Sequence, residues 1–379
     1  MRAPTLGNPA DLEPIPDRPA VFLLWASEGT PYLARTALLR RRLKRLLGDR
    51  DRISRVLNLN GVVERIEYWR TGSQLESSIL YLDLAQKYFP DSWQKITRLR
   101  PPAFVRLTTD NQFPRTMVTT RLGRGISFGP FPSRAAAERF DNEMLDLFQL
   151  RRCEENLNPT PEHPGCIYGE MNRCLRPCQQ AVSMDEYKGE SARVEQFLRT
   201  NGASLREPAE DARDRASGNM DFEEAERLHQ RVERISQVQS SAGDLARTLD
   251  RLAGVAVLPS RTSDAIDLLF LIGGRWQSQV RLALSEVAGA GQSMDHRLRD
   301  IVAAIEKSLS DPAAERMTPN MEHLSILMRW YTSSWRDGEW IDLDWPAKIP
   351  YRKLVNAIAR VSNPSVPSAP PVPSVKPAQ

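Results

Sequence analysis

All four cysteines of this 379-residue chain lie between positions 153 and 178. Cys153, Cys166, Cys174 and Cys178 leave 12, 7 and 3 residues between successive members, a clustering that scattered structural cysteines would not produce. Two disulfides, a zinc site or an iron–sulfur cluster would each account for it. The stretch from Met1 to Pro19 is polar and proline-rich, with no apolar segment of the kind that directs export. A chain of this size that stays in a reducing compartment has no need of disulfides to fold, so that reading is set aside. Zinc knuckles hold two to four residues between paired ligands, and only Cys174 and Cys178 meet that spacing. Four thiolates, with Pro177 just before the last, also suit a cubane cluster, which tolerates irregular spacing. Spacing alone leaves zinc and iron–sulfur open.

The residues around the cysteines carry more. The run Phe128-Gly-Pro-Phe-Pro-Ser133, then a helical stretch, then Arg152-Cys153-Glu154 and Arg173-Cys174-Leu-Arg-Pro-Cys178, resembles the cysteine-rich region of the UvrC/Cho family. UvrC is the incision subunit of bacterial nucleotide excision repair and Cho its shorter homologue; the likeness spans roughly residues 14 to 238. It implies a 4Fe–4S cluster held by Cys153, Cys166, Cys174 and Cys178, with zinc as the alternative.

Charged residues make up 26% of the chain and hydrophobic residues 41%, the balance of a water-soluble protein of two or three domains, expected in the cytoplasm. The apolar run Ala20 to Ala26 is far too short to span a bilayer. A net charge of +4 says little, but its distribution says more. Between Arg35 and Arg55 nine cations face only Asp49 and Asp51, which makes Arg40, Arg41, Arg42, Lys44 and Arg45 a candidate phosphate-facing surface for double-stranded DNA. The bland alternative is a solvated helix face.

Residues 1–19 read as an extended leader, followed by a strand at Ala20–Trp25, a turn at Glu28-Gly29-Thr30 and a second strand from Pro31. A basic helix over 36–47 buries Leu39, Leu43, Leu46 and Leu47; a strand at 63–69 and a helix at 73–89 complete a small α/β unit over 14–98. This order resembles a GIY-YIG nuclease domain. Laid on this chain, its two signature triplets fall on Ala20-Val21-Phe22 and Tyr32-Leu33-Ala34, its lysine on Arg35 and its catalytic arginine on Arg42. An aromatic or histidine position falls on Leu46, an asparagine on Trp93 and the metal-binding glutamate on Tyr81, a register anchored by Glu76 and Pro90. GIY-YIG enzymes cut a phosphodiester with one divalent ion held by that glutamate, and a phenol is a poor ligand for Mg²⁺. The helical neighbours of Tyr81 at three and four residues are Ser77, Ser78, Leu84 and Ala85, none acidic. Glu76 and Asp83 lie about 140–160° around the helix from it. The reading is a nuclease fold without its metal site, in which Tyr32, Arg35 and Arg42 still grip phosphate, Mg²⁺ being needed only if the site is active.

Over 99–180 the sequence predicts a β-hairpin (103–108 and 116–121), the Phe-Gly-Pro turn, and a helix at 134–150 capped by Ser133, before the cysteine region. Phe140 and Phe148 read as core residues rather than base-stacking platforms. A helical region at 181–239 contains a helix at 184–200, a polar break and a helix at 221–238. Asn219-Met-Asp-Phe-Glu-Glu-Ala-Glu-Arg-Leu-His229 resembles the UVR motif, which in the UvrC family pairs with a similar hairpin of UvrB. Phe222, Ala225, Leu228, Val232 and Ile235 make an apolar stripe suited to another helix, so Phe222, Ala225 and Leu228 are expected to meet a UvrB-like partner. An internal hairpin is the competing reading.

An α+β region is expected over 240–362: strands at 254–258, 265–272 and 275–284, a two-residue turn at Gly273-Gly274, helices at 295–308 and 320–331, a strand at 339–343 and a short helix at 351–361. Residues 363–379, rich in Pro, Ser, Val and Ala, read as a disordered tail. His323 reads as structural. The whole implies an α+β multidomain, DNA-binding repair protein with an inactive nuclease site. The alternatives are an active endonuclease making the 3′-side incision and a UvrB-docking adaptor that does not cut.

Overall fold

The unbroken apolar run Ala20–Trp25 builds a strand whose two faces are both covered, with Phe22 and Leu24 on one side and Val21 and Leu23 on the other. The computed structural model describes residues 2–48, 57–109, 112–289, 291–310 and 318–363, and the fold is mixed α+β with three antiparallel sheets among them. The outer part of the basic run (49–56), the middle of the hairpin loop (110–111) and the expected tail beyond 363 lie outside the described residues.

The first sheet has the order β1 (Thr5–Gly7), β4 (Arg65–Arg70), β2 (Ala20–Trp25), β3 (Tyr32–Thr36). Helix α1 (Leu39–Leu47) packs Leu39, Leu43, Leu46 and Leu47 on the Phe22 face, while α2 (Gln74–Tyr88) and the short α3 (Trp93–Thr97) cover the other. Residues 1–19 are thus not merely a leader. Leu6 pairs with Glu67 across β1 and β4, and Ile15 sits in the α1 core. The signal was three residues long, too short for periodicity to register.

The second sheet runs β6 (Thr116–Thr119), β5 (Ala103–Leu107), β7 (Ile126–Phe131), β8 (Arg247–Thr248). The segment Phe128-Gly-Pro-Phe131 is strand, not a turn: Phe128 pairs with Val105, and a register shift lies between Ala103 and Val105. Gly129 is required there. Its φ is +150°, and an added Cβ would stand 2.8 Å from the Phe104 ring. Helix α4 (Arg134–Leu145), capped by the Ser133 hydroxyl, stacks Phe140 on Phe128 at 5.0 Å, and Phe148 meets Phe197 edge-on. Both Phe140 and Phe148 are core.

The cysteine region holds α5 (Ile167–Glu170) and leads to α6 (Met184–Arg199), which opens with a capping box at Ser183 and Glu186. The stretch expected to be a polar break is instead α7 (Ala203–Gly218), antiparallel to α8 (Phe222–Ser241). Pro208 and the scarcity of apolar residues hid α7, in which only Ala209 is buried. It is a helix because α8 supplies its partner.

The third sheet runs β11 (Arg275–Trp276), β10 (Ala265–Ile272), β9 (Ala253–Pro259), β13 (Glu339–Asp342), with β12 (Val280–Ala283) also on β10. Gly273 and Gly274 take φ of +57° and +75°, as a two-residue hairpin turn demands. A short helix, α9 (Leu284–Gly289), follows β12. One face is covered by α10 (Met294–Leu309) and α12 (Tyr351–Ser362), the other by α11 (Met321–Tyr331). Helix α11 packs on α2 as well, so Leu75, Ile79 and Leu82 of the first unit share a core with Leu324, Leu327 and Trp330 of the last. Gly72, just before α2, lies so close to the backbone of residues 259–261 that an added Cβ would stand 2.4 Å from Arg261 N.

His323 is structural: its Nδ1 accepts from Trp276 N at 2.9 Å, and burial lowers its pKa to about 4. The folded state holds the ring neutral while the unfolded chain protonates near 6.5. Stability from this residue is therefore complete above that value and lost as pH falls toward 4. The expected loss is on the order of 3 kcal/mol. Urea unfolding of wild type and His323→Gln at pH 7 and pH 4.5 checks it, because the variant should lose this part of the acid sensitivity.

Candidate functional site: a basic cleft and a four-thiol cage

Period two along β3 sends Tyr32 and Ala34 toward α1, and Leu33 toward α2, with Arg35 next in the same alternation. Because β3 is the edge strand, Tyr32 and Arg35 both reach an open cleft of about 760 Å³. Tyr81 of α2 lines it too, its ring 5.6 Å from the Arg35 guanidinium, which also donates to the Ser78 hydroxyl at 2.8 Å. Burial raises the pKa of the Tyr81 phenol, and Arg35 partly offsets this. The cleft also contains Arg98, Arg100 and, from α11, Arg329. Burial lowers the pKa of Arg35, and the charge of Arg329 adds to the effect. No carboxylate lies among the described lining residues.

Of the residues expected to form this site, Tyr32, Arg35 and Tyr81 come together. Arg42 does not line the cleft; it reaches the Tyr32 hydroxyl from the α1 side at 3.5 Å. Phe22 is fully buried beneath Tyr32, ring centroids 6.3 Å apart. Glu76 and Asp83 project to the far side of α2, into a hollow shared with Arg2, Arg261 and Arg281, where burial raises the pKa of both carboxyls. The basic face of α1 is partly neutralised. Arg40 and Lys44 both pair with Glu13, at 3.0 and 2.5 Å, leaving Arg41 as an exposed cation without an acidic side-chain partner among the described residues. Arg45 is exposed as well. Arg98, Arg100 and Arg329 were not anticipated. Nothing local marks them, since the cleft exists only once α11 has docked.

The cysteines form a second constellation. All four are free thiols; Cys174 and Cys178 are buried, Cys153 half-buried and Cys166 exposed. Burial pushes the Cys174 thiol up to about 11, and the nearby sulfurs of Cys153, Cys166 and Cys178 act in the same direction, so the four lie within electrostatic reach of one another. Asn172, Arg176 and Gln180 take left-handed backbone around Cys174 and Cys178, a cost that tight loops about a centre would justify. Arg176 N points at Cys174 Sγ, 3.4 Å away. Among the described residues no group of three or more His, Cys, Asp or Glu side chains is arranged to hold a metal ion.

Arg151 underlies this region. Only 1% exposed, it donates to the carbonyls of Phe113, Cys153 and Glu155 at 3.0, 3.1 and 2.9 Å and approaches Cys153 Sγ at 3.5 Å. Its Nη2 is buried without a partner. A buried cation satisfied by neutral carbonyls, with one donor left over and the Cys153 sulfur 3.5 Å from another, suits negative charge in this region. Asp146 ties the rim to its neighbours, accepting from Arg152 at 2.7 Å, Arg173 at 3.0 Å and Arg234 of α8 at 3.2 Å.

The UVR-like stripe divides. Leu228, Val232 and Ile235 are buried, and Val232 and Ile235 join the core of this chain, as the internal-hairpin reading expects. Ala225 is half-buried. Phe222 is 70% exposed and Met220 76%, together forming an apolar tip where α7 turns into α8. Leu228 is thus not free to meet a partner as expected.

A family model for the UvrC/Cho excinuclease middle domain matches residues 103–199, which carry β5 to α6 and all four cysteines. UvrABC system protein C of Brucella abortus (strain 2308) is 27% identical over 301 residues, covering 73% of this chain and 47% of that protein. The Clostridium acetobutylicum protein of the same name is 23% identical over 363 residues, covering 93% and 56%. That of Rickettsia bellii is 27% identical over 244 residues, covering 63% and 38%. The chain spans about half the length of the curated relatives it matches. No solved structure matches. Over these stretches the chain is similar to the UvrC/Cho family. No helix among the described residues is long and apolar enough to cross a membrane.

Proposed function

We propose that this chain acts in nucleotide excision repair as a DNA-binding protein whose GIY-YIG-like cleft grips phosphate without cutting it. The observation that carries this reading is the composition of the cleft: four arginines, two tyrosines and no carboxylate among its described residues. Guanidinium groups bind phosphate oxygens in pairs, whereas Mg²⁺ needs carboxylate oxygens. With Glu76 and Asp83 turned away, Tyr81 has no acidic substitute on its own helix. The exposed cations of α1 extend the binding surface to duplex DNA in the cytoplasm.

Cys153, Cys166, Cys174 and Cys178 would hold a 4Fe–4S cluster, with zinc as the alternative for the same donors. Such a centre supplies a crosslink between the segment after α4 and the one before α6. Arg151 would compensate its negative charge.

The test is incision of a lesion-bearing duplex by anaerobically purified full chain with Mg²⁺ or Mn²⁺, in the presence of UvrA and UvrB. The expected result is bound, uncut DNA. Nicking that disappears in Arg42→Ala would overturn the non-cutting reading and favour a 3′-side endonuclease.

The Met220–Phe222 tip favours a second reading, an adaptor that docks on a UvrB-like protein through the α7–α8 hairpin. Phe222→Ala should then lose the partner and keep DNA affinity, measured by pull-down and anisotropy side by side.

A further inference from the structure

The cleft at the edge of β3 does not stop at Arg35. Arg35 and Arg329 also line a second hollow of about 460 Å³, which runs to the start of α2 and includes Trp335. The two hollows are therefore halves of one groove, separated by a pair of guanidiniums from opposite ends of the sequence. No ion pair engages either cation among the described residues, and the charge of Arg329 adds to the lowering of the Arg35 pKa. The carboxylate that lines the second hollow, Asp337, is committed to Gln74 N at 2.5 Å and Trp330 Nε1 at 3.0 Å. Two like charges facing one space with no free carboxylate between them repel each other, and a bound anion relieves that.

Trp335 supplies a second, independent feature. It stands on the turn after α11, 45% exposed, with no hydrogen-bond or ring partner among the described residues. A large aromatic beside a pair of unpaired cations is the pairing that recognises a nucleotide: charge for the phosphate, a π-face for the base. That face serves only a base that has left its duplex stack.

We propose that the groove binds single-stranded nucleic acid, with a backbone phosphate between Arg35 and Arg329, the adjoining phosphate at Arg98 and Arg100, and a base stacked on Trp335. This rests on the DNA-binding reading above and assigns a role to the C-terminal α+β unit, which brings Arg329 and Trp335 to the remnant site. Duplex would still be met by α1, on the other face of the first sheet.

The experiment is fluorescence anisotropy of the full chain with labelled (dT)12 and with a labelled duplex, across a salt series. Five proteins are compared: wild type, Arg329→Ala, Trp335→Ala, Trp335→Phe and the α1 double variant Arg41→Ala with Lys44→Ala. Thermal melts confirm that each is folded. For (dT)12, Arg329→Ala should flatten the dependence of log K on log salt by about 0.7, one single-strand phosphate contact. Trp335→Ala should weaken binding by about 5- to 150-fold with the salt slope unchanged, and Trp335→Phe should restore most of it. Trp335→Ala should bind duplex as wild type does, and Arg329→Ala should lose far less affinity for duplex than for (dT)12. If Arg329→Ala and Trp335→Ala bind (dT)12 like wild type while the α1 variant loses duplex, the groove proposal fails and the DNA-binding reading stands. Failure of wild type to bind either probe overturns both.

Discussion

Replacing Arg281 by alanine is expected to destabilise the chain by about 3–5 kcal/mol. Its partner, Asp267, lies in the middle of β10 and has no exposed surface. The two residues face each other across β10 and β12, and the guanidinium grips both carboxylate oxygens at 2.8 and 3.0 Å. This bond raises the Arg281 pKa. Truncating the arginine strands a carboxylate among Leu268, Leu269 and the strands on either side. Breaking one partner of a buried pair costs far more than the pair itself contributes. The double replacement Asp267→Leu with Arg281→Leu should accordingly recover most of the loss. Urea unfolding of the single and double variants measures the difference. A loss below about 1 kcal/mol for Arg281→Ala would mean that Arg2 or Arg261, across the same hollow, takes over the carboxylate.

The second large effect is expected at Arg151. Arg151→Met keeps much of the side-chain volume and removes the guanidinium donors that reach the Phe113, Cys153 and Glu155 carbonyls. The bond to the Phe113 carbonyl is buried and the other two are partly so, and a loss of about 1–3 kcal/mol is expected. The Cys153 segment is one of the places where those bonds end. On the proposed cluster assignment, the variant should therefore also retain far less iron and labile sulfide per chain than wild type after anaerobic purification. Arg173→Ala is the contrast. It removes a half-exposed contact with Asp146, which still has Arg152 and Arg234, and should cost no more than about 1 kcal/mol while the metal content stays unchanged. Equal iron content in Arg151→Met and wild type would sever the link between this arginine and the cage.

Much of the architecture was legible because it is written in local alternation and capping. The strands on either side of Gly273-Gly274, the helix begun by Ser73 and the one begun by Ser133 all lie within a residue or two of their predicted starts. What could not be read depends on partners far away in sequence. Helix α7 has almost no apolar stripe of its own, and β1 is three residues long. The stripe Leu75, Ile79, Leu82 on α2 was visible, but it faces the C-terminal unit, while Leu84 and Ala85 cover the first sheet. The same holds for the cleft. Tyr32, Arg35 and Tyr81 could be placed by aligning motifs, whereas Arg329 and Trp335 reach it only through the packing of α11 on α2. Nothing in their own neighbourhood says so.

That packing bears on what can be removed from this protein. Helix α2 is a wall common to two rooms, and neither room closes without it. A fragment ending near residue 98 would leave Leu75, Ile79 and Leu82 facing water, so the nuclease-like unit should not survive excision as a stable module. In hydrogen exchange the central amides of α2 should open together with α11 and the third sheet, at one shared free energy, rather than with an independent N-terminal domain. Whatever loosens the C-terminal sheet would loosen the basic cleft as well, although the two are joined by no loop.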